Sequence, residues 1–346
     1  MRVAIIGAGS LGALFGGLLA HAGEDVTFVV RGANLHALCA NGLIIKRLTD
    51  EELHLEVSAT ADPGEVGPVD LVWFCTKTYD LYAAARQCVP LIGPETLALT
   101  IQNGVDAPDQ VAAVLGGVGL LGGVVLGGAS LVAPGVVEQR TPRMPMHFGE
   151  IVGGSSARVD QLHPTLLGAG IDSAISRDVR CESWEKFILS CAALGLSSLT
   201  RLPYALIFAC PETAELAEGI MAEAEAVGQA RGVVFESGTV ERLLQLVRSV
   251  ATTTPAARGS MYLDLVEGRR LELDAINGCS RAHRPRGWRA HPLKFCRLCS
   301  PAPVYPRNSA SRLTLSAFDP RQSCELGEIV RTPTSKQWQR MASAQR

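Results

Sequence analysis

An α/β fold is predicted: a doubly wound parallel sheet first, an all-helical part after it. Three observations carry this. The chain opens on a short apolar run, Val3 to Ile6, that breaks into Gly7-x-Gly9-x-x-Gly12 and continues as a helical pattern of Leu11, Leu14, Leu18 and Leu19. Buried-strand runs then recur at residues 25–31, 70–76 and 96–101. Near Arg177 the pattern changes, and apolar residues fall at helical spacing from there to about residue 278.

Strand, glycine turn and helix in that order give the glycines physical work. Gly7 allows the tight turn, Gly9 lets the backbone approach a pyrophosphate, and Gly12 lets the helix lie close to the strand. The helix N-terminus then faces negative charge. This is the dinucleotide-binding arrangement of a Rossmann-type domain. The second strand, residues 25–31, ends in Arg31, and no acidic residue follows until Asp50. An acid at this place holds a ribose 2′-hydroxyl, whereas an arginine favours a 2′-phosphate, so NADP is expected over NAD.

Residues 43–57 read as a peripheral hairpin. Residues 70–76 form a buried strand with Lys77 just past its end, and residues 96–101 a further strand followed by Gln102-Asn103-Gly104. In doubly wound sheets ligands lie at the carboxyl ends of strands, so Lys77 and Asn103 both face the expected cofactor. Taken singly, each is also an ordinary turn residue. Residues 116–150 read as strands joined by a Pro134-Gly135 turn, with His147 a structural strand histidine. From 182 to 199, Trp184, Phe187, Ile188, Cys191 and Leu194 set a helical stripe, with Lys186 and Ser190 together on one face. Helices are expected over 212–231 and 237–252, with Gly232 as a stop, and from Ser260.

At 346 residues the chain is long enough for two domains. Hydrophobic residues make up 47% of it and the mean hydropathy is +0.19, which fits a well-packed globular protein. No apolar run is long enough to span a membrane and none reads as a signal peptide, so the cytoplasm is the expected compartment. Cys39, Cys75, Cys88, Cys181, Cys191 and Cys210 are read as buried thiols rather than disulfides. The net charge of −2 hides an asymmetry: residues 1–278 carry −12 and residues 279–346 carry +10.

A dinucleotide site implies hydride transfer at a carbonyl carbon, which needs a proton donor for the developing alkoxide. Lys186, in an otherwise apolar helix, suits that task, because desolvation would lower its pKa toward neutrality. On its own it also reads as a solvent-facing helix lysine.

In order along the chain, several motifs resemble the ketopantoate reductases (2-dehydropantoate 2-reductases). They are Gly7-x-Gly9-x-x-Gly12, Lys77, Gln102-Asn103-Gly104, Pro134-Gly135-Val136 and Glu182-x-Trp184-x-Lys186. The most specific is the stretch from Ser260-Met261 through Asp264 to Glu272-Leu273-Asp274-Ala275-Ile276-Asn277-Gly278. The resemblance implies an NADP-binding Rossmann domain over 1–178 and a helical substrate and catalytic domain over 179–278. It implies NADPH-dependent reduction of 2-dehydropantoate to (R)-pantoate, a step toward pantothenate. Lys186 would be the proton donor with Glu272 beside it as a second catalytic residue. The cofactor would meet Gly7, Ala8, Gly9, Ser10, Leu11, Gly12, Arg31, Lys77, Asn103, Ala129 and Glu272, and the substrate Asn103, Lys186, Ser190 and Ser260. Glu272 would orient a cationic Lys186. The partner is then a small oxoacid, without nucleic acid, membrane or metal; a homodimer is compatible with this.

The chain departs from the family pattern in two regions. Ser190 and Leu194 stand where the family has amides, which favours a different, more apolar 2-oxo or 3-oxo acid as an alternative substrate. A non-catalytic NADP-binding protein is a second alternative. Residues 279–346 lose all helical period and carry 7 of the 19 prolines and 11 arginines, which predicts a shifted reading frame near Gly278 or a poorly ordered tail. Cys296-x-x-Cys299 with His283 and His291 in that tail matches no common zinc spacing.

Overall fold

The structure, a computed structural model, describes residues 1–49, 51–117 and 119–278, all within one compact unit. The tail readings, including the cysteine and histidine cluster, lie outside the described residues.

The first half alternates strand and helix. In chain order it runs β1 (Arg2–Ile6), α1 (Ser10–His21), β2 (Asp25–Val29), α2 (Ala33–Asn41), β3 (Leu43–Lys46), β4 (Glu52–Leu55), β5 (Ser58–Thr60) and β6 (Leu71–Phe74). It continues α3 (Thr78–Gln87), β7 (Leu97–Thr100), α4 (Ala107–Leu115), β8 (Leu120–Val125), β9 (Ala129–Ala133), β10 (Val136–Gln139), β11 (Met146–Glu150), α5 (Ala157–Gly168) and β12 (Ser173–Ile175). Eight of these strands form one sheet in the order β12-β11-β8-β7-β6-β1-β2-β5. It is parallel except where β11 meets β8. β1 lies between β2 and β6, with Val3 opposite both Val26 and Leu71. A strand so placed is covered on both faces, which is why Val3 to Ile6 are continuously apolar and buried.

The sheet carries a core on each face. On one side Phe15 stacks on Trp73 at 5.3 Å; on the other Phe74, Val72 and Ile6 meet Leu81 and Val111. The expected hairpin is present as β3 and β4, but it is not peripheral. It pairs onward with β10 and β9 in a second, four-stranded sheet ordered β4-β3-β10-β9, and Ile45, Leu43 and Val137 are fully buried there. The Pro134-Gly135 turn joins β9 to β10 as expected, with Gly135 at φ +73°.

The second half is helical: α6 (Val179–Thr200), α7 (Tyr204–Ala209), α8 (Pro211–Ala230), α9 (Thr239–Thr253), α10 (Ser260–Val266) and a final π-helical turn (Asp274–Gly278). Asp178 accepts from the Cys181 N–H and so starts α6, and Gly232 at φ +78° follows α8 as a stop. Trp184, Phe187, Cys191, Met221 and Val247 make a core separate from those of the sheet.

The cysteine reading needs correction. Cys88 and Cys191 are buried, Cys75 and Cys181 half-buried, and Cys39 and Cys210 exposed. Cys39 lies in the last turn of α2 and Cys210 between α7 and α8, at helix ends. All six are free thiols. No helix of the described residues is long and apolar enough to cross a membrane, and no cluster among them has metal-ligand character.

Candidate active site at the carboxyl edge of the sheet

Three loops at the carboxyl ends of β1, β2 and β6 converge. Gly7 adopts φ +96°, and a side chain there would press on Thr76 at 3.1 Å. A Cβ on Gly12 would lie 2.0 Å from the Gly7 carbonyl oxygen and 2.8 Å from Cys75 Cβ, so α1 reaches the strand only as glycine. Gly9 differs: its Cβ would meet nothing within 4 Å, so its face opens onto free space. No side chain caps α1, and its first turn holds no acid. Its leading N–H groups therefore point at a place for an anion. These features fit the pyrophosphate of a dinucleotide.

The remaining residues of the glycine loop divide. Ala8 is buried, and its carbonyl accepts from Asn34 Nδ2 at 3.1 Å, which ties the loop after β2 to it. Ser10 Oγ accepts from the Leu131 N–H at 3.2 Å, binding the helix start to β9. Leu11 packs on the sheet core, and Ala129 opens β9, half-buried. Arg31 stands in the loop after β2, largely exposed, with its guanidinium 3.7 Å from Asp80 in the first turn of α3.

Lys77 ends the β6 loop and is held by the helical half. Its ammonium donates to Asp264 Oδ2 at 2.6 Å and to Glu272 Oε2 at 3.2 Å, while Glu272 Oε1 accepts from the Thr78 N–H at 3.0 Å. Burial pulls the Lys77 pKa down, but the two carboxylates outweigh it and the net shift is upward. Asp264 also accepts from Arg269 Nε at 2.7 Å, and Arg270 lies over the Tyr79 ring at 4.2 Å. The segment from Asp264 to Glu272 thus clasps the start of α3.

The loop after β7 faces α6. Gln102 donates to the carbonyls of Phe74 and Thr76 at 2.8 and 3.2 Å, and a Cβ on Gly104 would lie 2.9 Å from the Ala275 carbonyl of the π-helical turn. Gln102 and Gly104 line a small pocket with Gly123, Val124, Ser183, Phe187 and Lys186. Two buried oxygens at these strand ends, Thr76 Oγ1 and Gln102 Oε1, have no hydrogen-bond partner among the described residues. Asn103, between Gln102 and Gly104, is half-buried, and among the described residues its side chain makes no hydrogen bond.

Lys186 therefore opens into the crevice between sheet and helices. Desolvation lowers its pKa to about 8, and the negative charge of Glu272 partly restrains that fall. Glu272 acts at a distance: among the described residues its ion pair runs to Lys77, and none joins it to Lys186. Lys77 and the Thr78 N–H hold both carboxylate oxygens, and Glu272 acts on Lys186 through its charge. Ser190, one turn further along α6, is buried, and Leu194 follows after another turn. Ser260 begins α10 and is exposed. Its neighbour Gly259 packs so tightly on Leu194 that a Cβ would lie 2.3 Å from the leucine side chain. His147 stays apart from this group: its Nδ1 meets Glu182 Oε2 at 2.5 Å, tying β11 to α6.

The motif that carries Asp264 and the strand end that carries Arg31 were both readable, but their ion pairs, Asp264 with Lys77 and Arg31 with Asp80, were not, because each joins segments distant in the chain.

Comparison with known proteins converges on one family. Residues 3–153 match the model described as "Ketopantoate reductase PanE/ApbA", and residues 178–281 match "Ketopantoate reductase PanE/ApbA C terminal". The chain is 33% identical to the 2-dehydropantoate 2-reductase of Mesorhizobium japonicum, over 80% of this chain and 89% of that protein. It is 30% identical to that of Pyrococcus horikoshii over the same shares. The solved 2-dehydropantoate 2-reductase of Geobacter metallireducens superposes with a TM-score of 0.75 at 31% identity, covering 82% of this chain and 93% of that one.

Proposed function

The chain belongs to the ketopantoate reductase family, and from that premise we propose that it reduces the ketone of 2-dehydropantoate to the alcohol of (R)-pantoate, with NADPH as reductant. Residues 1–178 serve as the NADP-binding domain and residues 179–278 as the helical domain that brings the proton donor and substrate contacts. The family makes the cofactor a pyridine nucleotide; Arg31 at the end of the second strand is the reason for preferring the phosphorylated form.

Gly7 to Gly12 would hold the pyrophosphate of a reduced dinucleotide, which when bound would supply the hydride for the ketone carbon. The protein has to hold the oxoacid in place and protonate the oxygen as negative charge grows there. Lys186 is the single observation that carries the proposal. It is a lysine in a desolvated crevice with no ion-pair partner among the described residues and a pKa lowered to about 8. An ammonium of that acidity is protonated at neutral pH yet gives up its proton to a stronger base readily. It therefore donates to the forming alkoxide and is left as the neutral amine, which regains a proton from water. Asn103, Ser190 and Ser260 are assigned to the substrate's oxygens. Glu272 keeps the ammonium charged by its field and, with Lys77, borders the cofactor crevice.

One observation favours a second reading, a reductase of a more apolar oxoacid. Leu194 packs on Gly259 beside Ser260, so the wall past Ser190 is hydrocarbon. An apolar wall gains little from a hydroxyl and leaves it without a partner. Initial rates of NADPH oxidation with 2-dehydropantoate and a panel of 2-oxo acids separate the readings. Turnover of 2-dehydropantoate supports the first, turnover of an apolar oxoacid alone the second. NADPH binding without turnover of any acid overturns both and leaves a non-catalytic NADP-binding protein.

A further inference from the structure

We propose that Asp80 sets how strongly this protein prefers a phosphorylated over an unphosphorylated dinucleotide, by offsetting the charge of Arg31. The inference rests on the reading of Arg31 as the 2′-phosphate contact.

Three contacts place both residues on one wall of the cofactor crevice. Gly7 abuts Thr76, so the loop that leads into α3 lies against the glycine loop. Asn34 donates to the Ala8 carbonyl, so the loop carrying Arg31 is tied to the same place. Across the gap between them, Arg31 Nη2 stands 3.7 Å from Asp80 Oδ1. Asp80 is fixed by its helix: its N–H donates to the Lys77 carbonyl at 3.0 Å, and as a first-turn acid it sits favourably at the start of α3. Among the described residues it is the only carboxylate that pairs with Arg31.

Both charges remain substantially exposed, with side-chain exposures of 78% for Arg31 and 44% for Asp80. The pair is therefore weak enough to open for an incoming ligand. A 2′-phosphate carries negative charge to the spot where Arg31 attracts it and Asp80 repels it. An unphosphorylated ribose meets neither effect in full. The carboxylate thus subtracts from the preference that Arg31 creates, and it does so through charge alone. The gap between NADPH and NADH affinity is therefore narrower than Arg31 alone would make it.

The test is fluorescence titration of the full chain with NADPH and with NADH, for the natural protein, Arg31→Ala and Asp80→Asn, at low and high salt. Asp80→Asn preserves shape and removes only the charge. NADPH affinity is expected to rise about fivefold in Asp80→Asn at low salt, with NADH affinity unchanged and the gain shrinking at high salt. Arg31→Ala should lose NADPH affinity selectively. If Arg31→Ala behaves so but Asp80→Asn leaves both affinities unchanged, or moves both equally, the inference is overturned while the 2′-phosphate reading stands. If Arg31→Ala weakens NADPH and NADH alike, the 2′-phosphate reading fails and the inference falls with it.

Discussion

Lys186 shows what a single residue gives up for its chemistry. It sits on a helix whose buried face is mostly apolar, and burial without a close counter-charge lowers its pKa from 10.5 to about 8. The sign of the linkage follows. An unfolded lysine keeps its proton to about pH 10, so between about 8 and 10 the unfolded chain binds more protons than the native one, and stability rises with pH across that window. Below about 8 the burial cost is present in full. Lys186→Met should therefore stabilise the fold by about 1–2 kcal/mol at pH 7, with the gain fading as pH rises above 8; denaturant titrations at pH 7 and 9.5 read it. With Lys186 as the proposed proton donor, the protonated form is required in the reducing direction, so the rate should fall as pH rises through about 8.

At the scale of elements, the loop from β1 to α1 separates fold from function glycine by glycine. Gly12→Ala puts a methyl 2.0 Å from a backbone oxygen and should cost about 2 kcal/mol or more, seen as a lowered melting temperature. Gly9→Ala meets nothing in the protein, so its stability should change by less than about 1 kcal/mol. Its methyl would enter the space for the pyrophosphate, and dinucleotide affinity should drop by about tenfold or more in a fluorescence titration. This loop was legible because its chemistry is local: strand, turn and helix are contiguous, and each glycine answers a neighbour a few residues away. β6, β7, α6, α8, α9 and α10 were readable for the same reason, from period and stop signals within one segment. The four-stranded sheet was not. Its two hairpins lie about ninety residues apart, and no alternation within residues 43–55 says that Ile45 will pair with Val137.

Across the whole molecule, the sheet and helical cores meet through charge at Lys77. Asp264 and Glu272, with side-chain exposures of 5% and 7%, are carried by the helical half yet neutralised by a lysine from the end of β6. Motif order placed Lys77 and Glu272 in one site. It did not reveal that they hold each other, because that depends on how two separately cored halves pack. Lys77→Met leaves two buried carboxylates sharing less positive charge. It should destabilise the protein by about 2–4 kcal/mol at pH 7, which a lowered denaturant midpoint reads.

The central claim is that Lys186, facing a dinucleotide across this crevice, protonates the oxygen of an oxoacid. The direct measurement is single-turnover oxidation of NADPH with 2-dehydropantoate by the natural chain and by Lys186→Ala, with NADPH affinity measured on both. The account predicts turnover in the natural chain, loss of about a hundredfold or more in the variant, and NADPH affinity within a few-fold. An unchanged rate in Lys186→Ala would contradict it.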